Sequence, residues 1–257
     1  MADLGILDLV ALGAAALAGG GVNALAGGGT LITFPALTAV GVPALSANIT
    51  NTVALTPGYI GGTIAQKADL EHQRTRALVV AVPAIVGGLI GAGLLLVAGE
   101  KLFENLVPWL ILLAAVLIGG DKWLKRWVTA RLTAEGTSHR VHLGGAAVAA
   151  LAGSIYGGFF GAGLGIILLA LYSLVLPETL VRINALKQLT SFLANSTAAV
   201  FLVFSGKVVW EAVAVMAVCA LAGGVLAGRF VRRANPDVLR AVVVVIAVTV
   251  AIVYFVR

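Results

Sequence analysis

The sequence has 257 residues, of which 60% are hydrophobic and only 11% charged, with a mean hydropathy of +1.07. Soluble domains carry about 25% charged residues, so this chain lacks the polar surface to cover a water-facing globule; soluble enzyme, disordered chain, disulfide scaffold and collagen-like rod are excluded. A polytopic membrane protein remains, and its net charge of +6 first poses a question of orientation in a membrane, not of nucleic-acid binding.

In chain order, the first eight residues carry two acids and no base. They lack the basic region of a signal peptide, so the segment is expected to be retained. Between Asp8 and Lys67 lie 58 residues without Asp, Glu, Lys or Arg. As continuous helix these would run roughly 87 Å at about 1.5 Å per residue, against a hydrocarbon core about 30 Å thick. The stretch holds two generous crossings or nearly three short ones, divided at Gly27, Gly28 and Gly29 and at the turn Gly41, Val42, Pro43. A polar loop at 67–76 precedes apolar spans at 77–98 and 102–120, separated by Glu100 and Lys101, the second span carrying Glu104 near its start. Residues 121–140 form the longest polar stretch, with Lys122, Lys125, Arg126, Arg131 and Arg140; Trp123 and Trp127 suit an interfacial belt. Residues 141–177 are again uncharged and broken by a Gly-rich run at 157–165. Residues 178–206 carry Arg182 and Lys187, and spans at 208–228 and 238–256 flank a basic loop at 229–240. The simple count is eight spans.

The pattern occurs twice. Gly27 and Gly29 match Gly161 and Gly163 at an offset of 134, as Pro43 matches Pro177, and the pair Gly87, Gly88 matches Gly223, Gly224 at 136. Eight plain crossings would divide the 17 Lys and Arg ten against seven. Inverted halves place twelve in the loops 67–76, 121–140 and 229–240, leave Lys101, Lys207 and Arg257 opposite, and set Arg182 and Lys187 apart within the membrane region. Twelve against three obeys the positive-inside rule far better. The expected fold is therefore an all-α polytopic membrane protein of about eight transmembrane helices with Gly-broken segments, in two inverted repeats. Residues 1–120 form the first repeat, 121–140 a basic cytoplasmic loop and 141–257 the second repeat, with both termini outside.

Broken helices expose backbone N–H groups, which favour anions, and irregular backbone at membrane depth is tolerated only where protein buries it or water reaches it. Matching breaks in two halves of a transporter point to its substrate site. The candidate breaks are Gly27, Gly28 and Gly29, and Gly161 and Gly163. Downstream of each lies a polar cluster: Asn48, Thr50, Asn51, Thr52 and Thr56 in the first half; Asn184, Lys187, Gln188, Thr190, Ser191, Asn195 and Ser196 in the second. Single Ser and Thr residues are better explained by interhelical hydrogen bonds. The Asn residues and Lys187 favour the site, since an ionisable residue in a membrane region is a functional hypothesis by default. Arg182, five residues past Pro177, is equally able to snorkel to the interface.

No Asp or Glu stands mid-span, which weakens proton symport and intramembrane proteolysis. His72, His139 and His142 sit in or beside loops, Cys219 is the only cysteine, and no nucleotide-binding loop or catalytic motif is present. No cofactor is expected. Gly87 with Gly91, and Gly224 with Gly228, read as helix-packing faces.

The chain resembles the sulfite exporter TauE/SafE family of bacterial and archaeal membrane transporters. The resemblance rests on residues 19–35 (GGGVNALAGGGTLITFP), 47–55 (ANITNTVAL), 184–191 (NALKQLTS) running to Asn195, 205–210 (SGKVVW), and 222–228 (AGGVLAG) followed by Arg232, Arg233 and Leu239. No single motif is specific, but their order is, and the match covers essentially the whole chain. It implies export of sulfur-containing anions such as sulfite or organosulfonates, and carries over Asn51, Thr52, Asn184, Lys187 and Asn195 as pathway residues. At Val53 the chain departs from a common pattern in which a Lys stands near the Thr-Asn pair, so the first half has no cation there.

The expectation is a non-enzymatic secondary transporter that moves small anions out across the cytoplasmic (inner) membrane by alternating access. Gly27, Gly28, Gly29, Asn51, Thr52, Gly161, Gly163, Asn184, Lys187, Gln188 and Asn195 would bind substrate. Its partners are a small anion and the lipid bilayer, with homodimerisation open and nucleic acid excluded. The alternatives are a non-transporting membrane scaffold subunit, in which Lys187 is inert, or a transporter of a different small anion.

Overall fold

A computed structural model describes residues 4–26, 28–71, 73–134, 142–230 and 236–256. Among them there are ten helices and no strand: α1 (Ile6–Ala26), α2 (Thr30–Ala39), α3 (Ala44–Ala65), α4 (Lys67–Glu71), α5 (Arg74–Ala134), α6 (Leu143–Phe159), α7 (Leu164–Val175), α8 (Leu180–Val203), α9 (Trp210–Phe230) and α10 (Pro236–Val256). The long α5 is two helical arms joined at Gly99, whose φ of 68° takes it out of helical conformation. Pro35, Pro57, Pro83 and Pro108 lie within helices, as membrane helices tolerate when neighbours satisfy the freed backbone groups.

One order of elements runs twice: long helix, break, short helix, turn, long helix, then two further helical lengths. In the first half these are α1, α2, α3 and the two arms of α5; in the second they are α6, α7, α8, α9 and α10. The halves interlock. α1 packs along α9 while α6 packs along α5, and α3 lies against α9 as α8 lies against α5. The same glycine contact recurs at both places. A Cβ on Gly87 would meet the Leu151 carbonyl oxygen at 2.7 Å, and one on Gly223 would run into the backbone of Leu17. Leu17 and Leu151 differ by 134 and the glycines by 136, so each half buries a small-residue seam in the other, the close approach that glycine permits between membrane helices. Gly91 likewise abuts the α6 backbone at Ile155 and Gly158, which makes Gly87 and Gly91 the packing face expected.

Two stretches read as loops are helical. The polar segment 67–76 contains α4 and the start of α5. The basic segment from 121 continues α5 as far as Ala134; residues 135–140 lie outside the described residues. The reason is local: Asp121 and Lys125 pair at 2.9 Å with helical i,i+4 spacing, and Leu, Lys, Arg and Ala are strong helix formers. By length and apolar composition two described helices qualify as crossings, within Ile6–Asn23 and Arg74–Ala130, against the eight expected. The breaks shorten α2 and α7, while Asn, Thr and Lys dilute α3 and α8.

The outside of the bundle is apolar. Leu7, Leu78, Val82, Val97, Val116 and Val148 are each more than 60% exposed. A soluble monomer rarely leaves contiguous apolar surface on this scale; hydrocarbon covers it at no cost. The interior holds two clusters. The larger runs through Phe34, Ile49, Leu95, Phe103, Ile111 and Leu202. The smaller joins Val80, Leu164, Leu168, Tyr172 and Ile183.

Candidate anion site at the paired helix breaks

The long helices α3 and α8 carry their polar side chains in one register. Asn48 and Asn184, Asn51 and Lys187, and Tyr59 and Asn195 all stand 136 apart. Asn51 meets the break of its own half, as Lys187 and Asn195 meet theirs, whereas Asn48 and Asn184 reach across to the other half; α3 also packs against α8.

In the first half, Asn51 meets the opening turn of α2. Its Nδ2 donates to Thr30 Oγ1 at 3.3 Å, and its Oδ1 accepts from Thr33 Oγ1 at 2.5 Å. The same Thr33 hydroxyl lies 3.1 Å from the Gly29 carbonyl. Gly29 caps α2 in right-handed helical conformation, with φ −56°, so it serves close approach: a Cβ there would strike the Gly19 carbonyl. Gly28 is buried against Ile118 of α5. Gly27 lies outside the described residues. Thr52 turns its hydroxyl to the Asn48 carbonyl at 2.9 Å.

In the second half, the break is made by backbone geometry that an L side chain resists. Gly161 and Gly163 have φ of 79° and 76°, the left-handed region where glycine carries no Cβ penalty. Tyr156 donates its hydroxyl to the Ala162 carbonyl at 2.6 Å and braces the bend. Asn195 places its Oδ1 beside Gly161 and donates to the Ser191 carbonyl at 2.8 Å. Lys187 lies along Gly165 in the first turn of α7, its Cδ, Cε and Nζ all 3.6–3.7 Å from where a Cβ would stand. It is half-buried, and among the described residues no salt bridge reaches it. A helix N-terminus with an ammonium group beside it favours an anion.

The two breaks approach one another. Asn48 of α3 donates to the Phe159 carbonyl at 2.9 Å, tying the first half to the second break. Phe34 stacks edge-on against Phe160, with centroids 5.7 Å apart, and against Phe103 at 6.5 Å. Gly28 packs on Ile118, and Gly163 on Ala114 and Leu117, so both breaks lean on one stretch of α5. Among the described residues, the Asn48 Oδ1 and the Ser154, Ser191 and Ser196 hydroxyls are buried without a partner, the kind of polar remainder that water or solute satisfies.

The predicted residues therefore separate into groups. Gly28, Gly29 and Asn51 come together at α2; Gly161, Gly163, Asn195 and Lys187 come together at α7. Asn184 instead donates to Gln66 at 2.8 Å near the end of α3, Gln188 is half-buried one turn further along α8, and Thr52 is held by its own helix. Arg182 is not a free cation: it pairs with Glu178 at 3.1 Å, and Glu178 also accepts from Arg76 of α5. Burial in this linker before α8 pushes the Glu178 carboxyl up, but the hydrogen bonds from Arg76 and Arg182 outweigh it and hold it below the ordinary carboxylate value of 4.5. Gln73, buried, donates to the Arg182 carbonyl at 3.1 Å in the same corner.

Asp121 is the residue the sequence did not single out. It is 2% exposed and sits on the α5 face that carries Ala114, Leu117 and Ile118. It pairs with Lys125 at 2.9 Å. The signal was available: an Asp four residues before a Lys marks a helix face, not a loop.

No curated protein and no solved structure matches the chain. The model of the family described as sulfite exporter TauE/SafE matches residues 11–254, nearly the whole length. The chain belongs to the sulfite exporter TauE/SafE family, a family of membrane transporters.

Proposed function

We propose that this protein is a secondary transporter that exports small sulfur-containing anions, sulfite or organosulfonates, across the cytoplasmic membrane. The observation that carries the reading is Lys187, a half-buried ammonium at the opening turn of α7, beside a break formed by two left-handed glycines. The N-terminal dipole of α7 and the Lys187 charge hold the anion, and Asn195 and Gln188 complete its polar surroundings. Residues 1–120 and 141–257 act as two inverted units around this point in a multi-pass protein, with the basic segment 121–140 on the cytoplasmic side. Alternation of the units exposes the site to each face in turn. An inside-negative potential drives an anion outward with roughly 2.3 kcal/mol per charge per 100 mV, so export needs no coupling ion.

Reconstituted protein should carry labelled sulfite or a sulfonate across proteoliposomes, and Lys187→Ala should remove that flux. Flux no higher than that of empty liposomes would overturn the reading in favour of a scaffold subunit. Orientation is tested by a reporter fused to the C-terminus, expected outside; a cytoplasmic signal would remove the inverted arrangement.

A further inference from the structure

We propose that the cavity between the α2–α3 turn, the second arm of α5 and the end of α10 binds a primary ammonium group, supplied by the headgroup of an aminophospholipid. The inference stands apart from the exporter reading. The cavity measures about 460 Å³, and Thr38, Gly41, Pro43, Glu104, Asn105 and Tyr254 are among the residues that line it. It follows from how α2 stops. Gly41 has a φ of 88°, and the Gly41 and Val42 N–H groups turn back to the Thr38 and Leu37 carbonyls, each at 3.1 Å, a helix stop that glycine makes possible. No atom lies within 4 Å of where a Gly41 Cβ would stand, so the turn faces open space.

The lining sets the sign of the ligand. The C-terminal end of α2 is the negative end of its dipole and favours a cation. Glu104 is the one charged residue on the lining, and no ion pair among the described residues engages it. Glu100, one turn earlier on α5, adds a second negative charge where it accepts from the Leu45 N–H. Among the described residues no group of three or more His, Cys, Asp or Glu could hold a metal ion, and the volume is many times that of a bare ion. A primary ammonium brings its charge with three N–H donors. The Glu104 carboxylate, the Asn105 side-chain carbonyl and the Thr38 hydroxyl can accept them, the Thr38 proton itself going to the Pro35 carbonyl at 3.0 Å.

The surroundings point to the source. Trp109, four residues past Asn105 and so on the same helix face, is 63% exposed and stacks edge-on against Phe255 of α10, with centroids 5.2 Å apart. Phe255 follows Tyr254 and is 50% exposed, and exposed Leu102 and Ile252 extend this apolar surface. A polar cavity thus adjoins an exposed aromatic pair, as at the level where an aromatic belt meets lipid headgroups. The ammonium enters the cavity and the acyl chains lie over Trp109 and Phe255.

Full-length protein in detergent, offered equal amounts of phosphatidylethanolamine and phosphatidylcholine with the same acyl chains, should retain the ethanolamine lipid about tenfold more, the weight of one charge-assisted hydrogen bond. Native mass spectrometry reads the ratio, and because methylation keeps the charge and removes the donors, the ratio isolates recognition of the N–H groups. Glu104→Gln should bring it close to one, and Asn105→Leu should lower it; both side chains are exposed, and loss of structure would release both lipids alike. Free ethanolamine that displaces the lipid at millimolar concentration would keep the ammonium site and overturn the lipid as its source; failure to displace it supports the lipid. Equal retention of the two lipids by the wild type, or a ratio unchanged in both variants, overturns the proposal. So does a preference that emerges only in Lys101→Gln or Arg257→Gln, because one of the chain's own cations near the lining in sequence would then be the occupant.

Discussion

At matching places on α3 and α8, one half of the molecule presents Asn51 and the other Lys187. Their partners differ in the same sense. The opening turn of α2 offers Thr30 and Thr33, both bonded to Asn51; at an offset of 134 the opening turn of α7 offers Leu164 and Ile167, which have no hydroxyl. The first half is a closed polar lock, and the second is a charge that no described carboxylate pairs with directly. The two breaks differ at Asn51 against Lys187, Thr30 against Leu164 and Thr33 against Ile167, so the first is fastened by side-chain hydrogen bonds and the second is the one proposed to take the anion. The comparison predicts where function and stability separate.

The largest effect expected is on transport. Lys187→Ala should reduce anion flux to background with no loss of melting temperature, because a cation in the membrane interior is itself unfavourable by about 2.5–3.5 kcal/mol on insertion scales. Asn51→Ala should do the reverse. It leaves the buried Thr hydroxyls short of a partner, costs about 1–3 kcal/mol, and retains measurable flux. Were Asn51→Ala to stop transport in a fully stable protein, the division between lock and site would not stand.

Much of this arrangement was legible in the sequence. The glycine breaks, the packing glycines Gly87 and Gly91 and the separation of Lys187 from the basic segments follow from spacing in an apolar chain, because a membrane penalises both charge and irregular backbone wherever the protein makes no use of them. Position along the chain could not show what the breaks lean on. Ala114, Leu117 and Ile118 look like any apolar residues until the bundle sets both glycine breaks against them. Asp121, read as part of a loop, and Arg182, left open between the site and the interface, could not be placed for a related reason. Counting charges treats each acid or base as a loop marker or a free group. Whether a charge is solvated, paired or buried depends on the helix face it occupies, and Glu178 shows this by engaging Arg182 four residues along its own segment and Arg76 from the other half.

The two breaks should also differ in how glycine is needed. Gly29→Ala puts a methyl group against the Gly19 carbonyl and 3.0 Å from Asn23 Cβ, so α1 and α2 must part; overpacking of this kind costs about 3 kcal/mol. At Gly163 the nearest atoms to a new Cβ are Leu117 Cδ1 at 3.5 Å and Ala114 Cα at 3.6 Å, ordinary contacts. There the penalty is the left-handed backbone alone, about 1–2 kcal/mol. Thermal unfolding in detergent should rank Gly29→Ala as the more damaging, and the opposite order would mean that the first break has room the second lacks.

The smallest effect concerns how the two long helices begin. Glu100 of α5 accepts from the Leu45 backbone N–H at 3.0 Å and fastens the start of α3, with no countercharge among the described ion pairs. Glu178 fastens the start of α8 through Arg76 and Arg182. With its folded value depressed below 4.5, the Glu178 carboxylate stabilises the protein fully above the ordinary carboxylate range, and that contribution is lost as pH falls below 4.5 through the folded value. Because Arg182 is 43% exposed, solvent and salt screen part of the pair, and Glu178→Gln should cost only about 1 kcal/mol near neutral pH. The variant and the wild type should converge in melting temperature as the pH is lowered below 4.5, and the gap at neutral pH should narrow in high salt. The hydrogen bond from Leu45 to Glu100 involves a neutral donor, so Glu100→Gln should show much less of that salt dependence; equal sensitivity in both would place a countercharge at α3 as well.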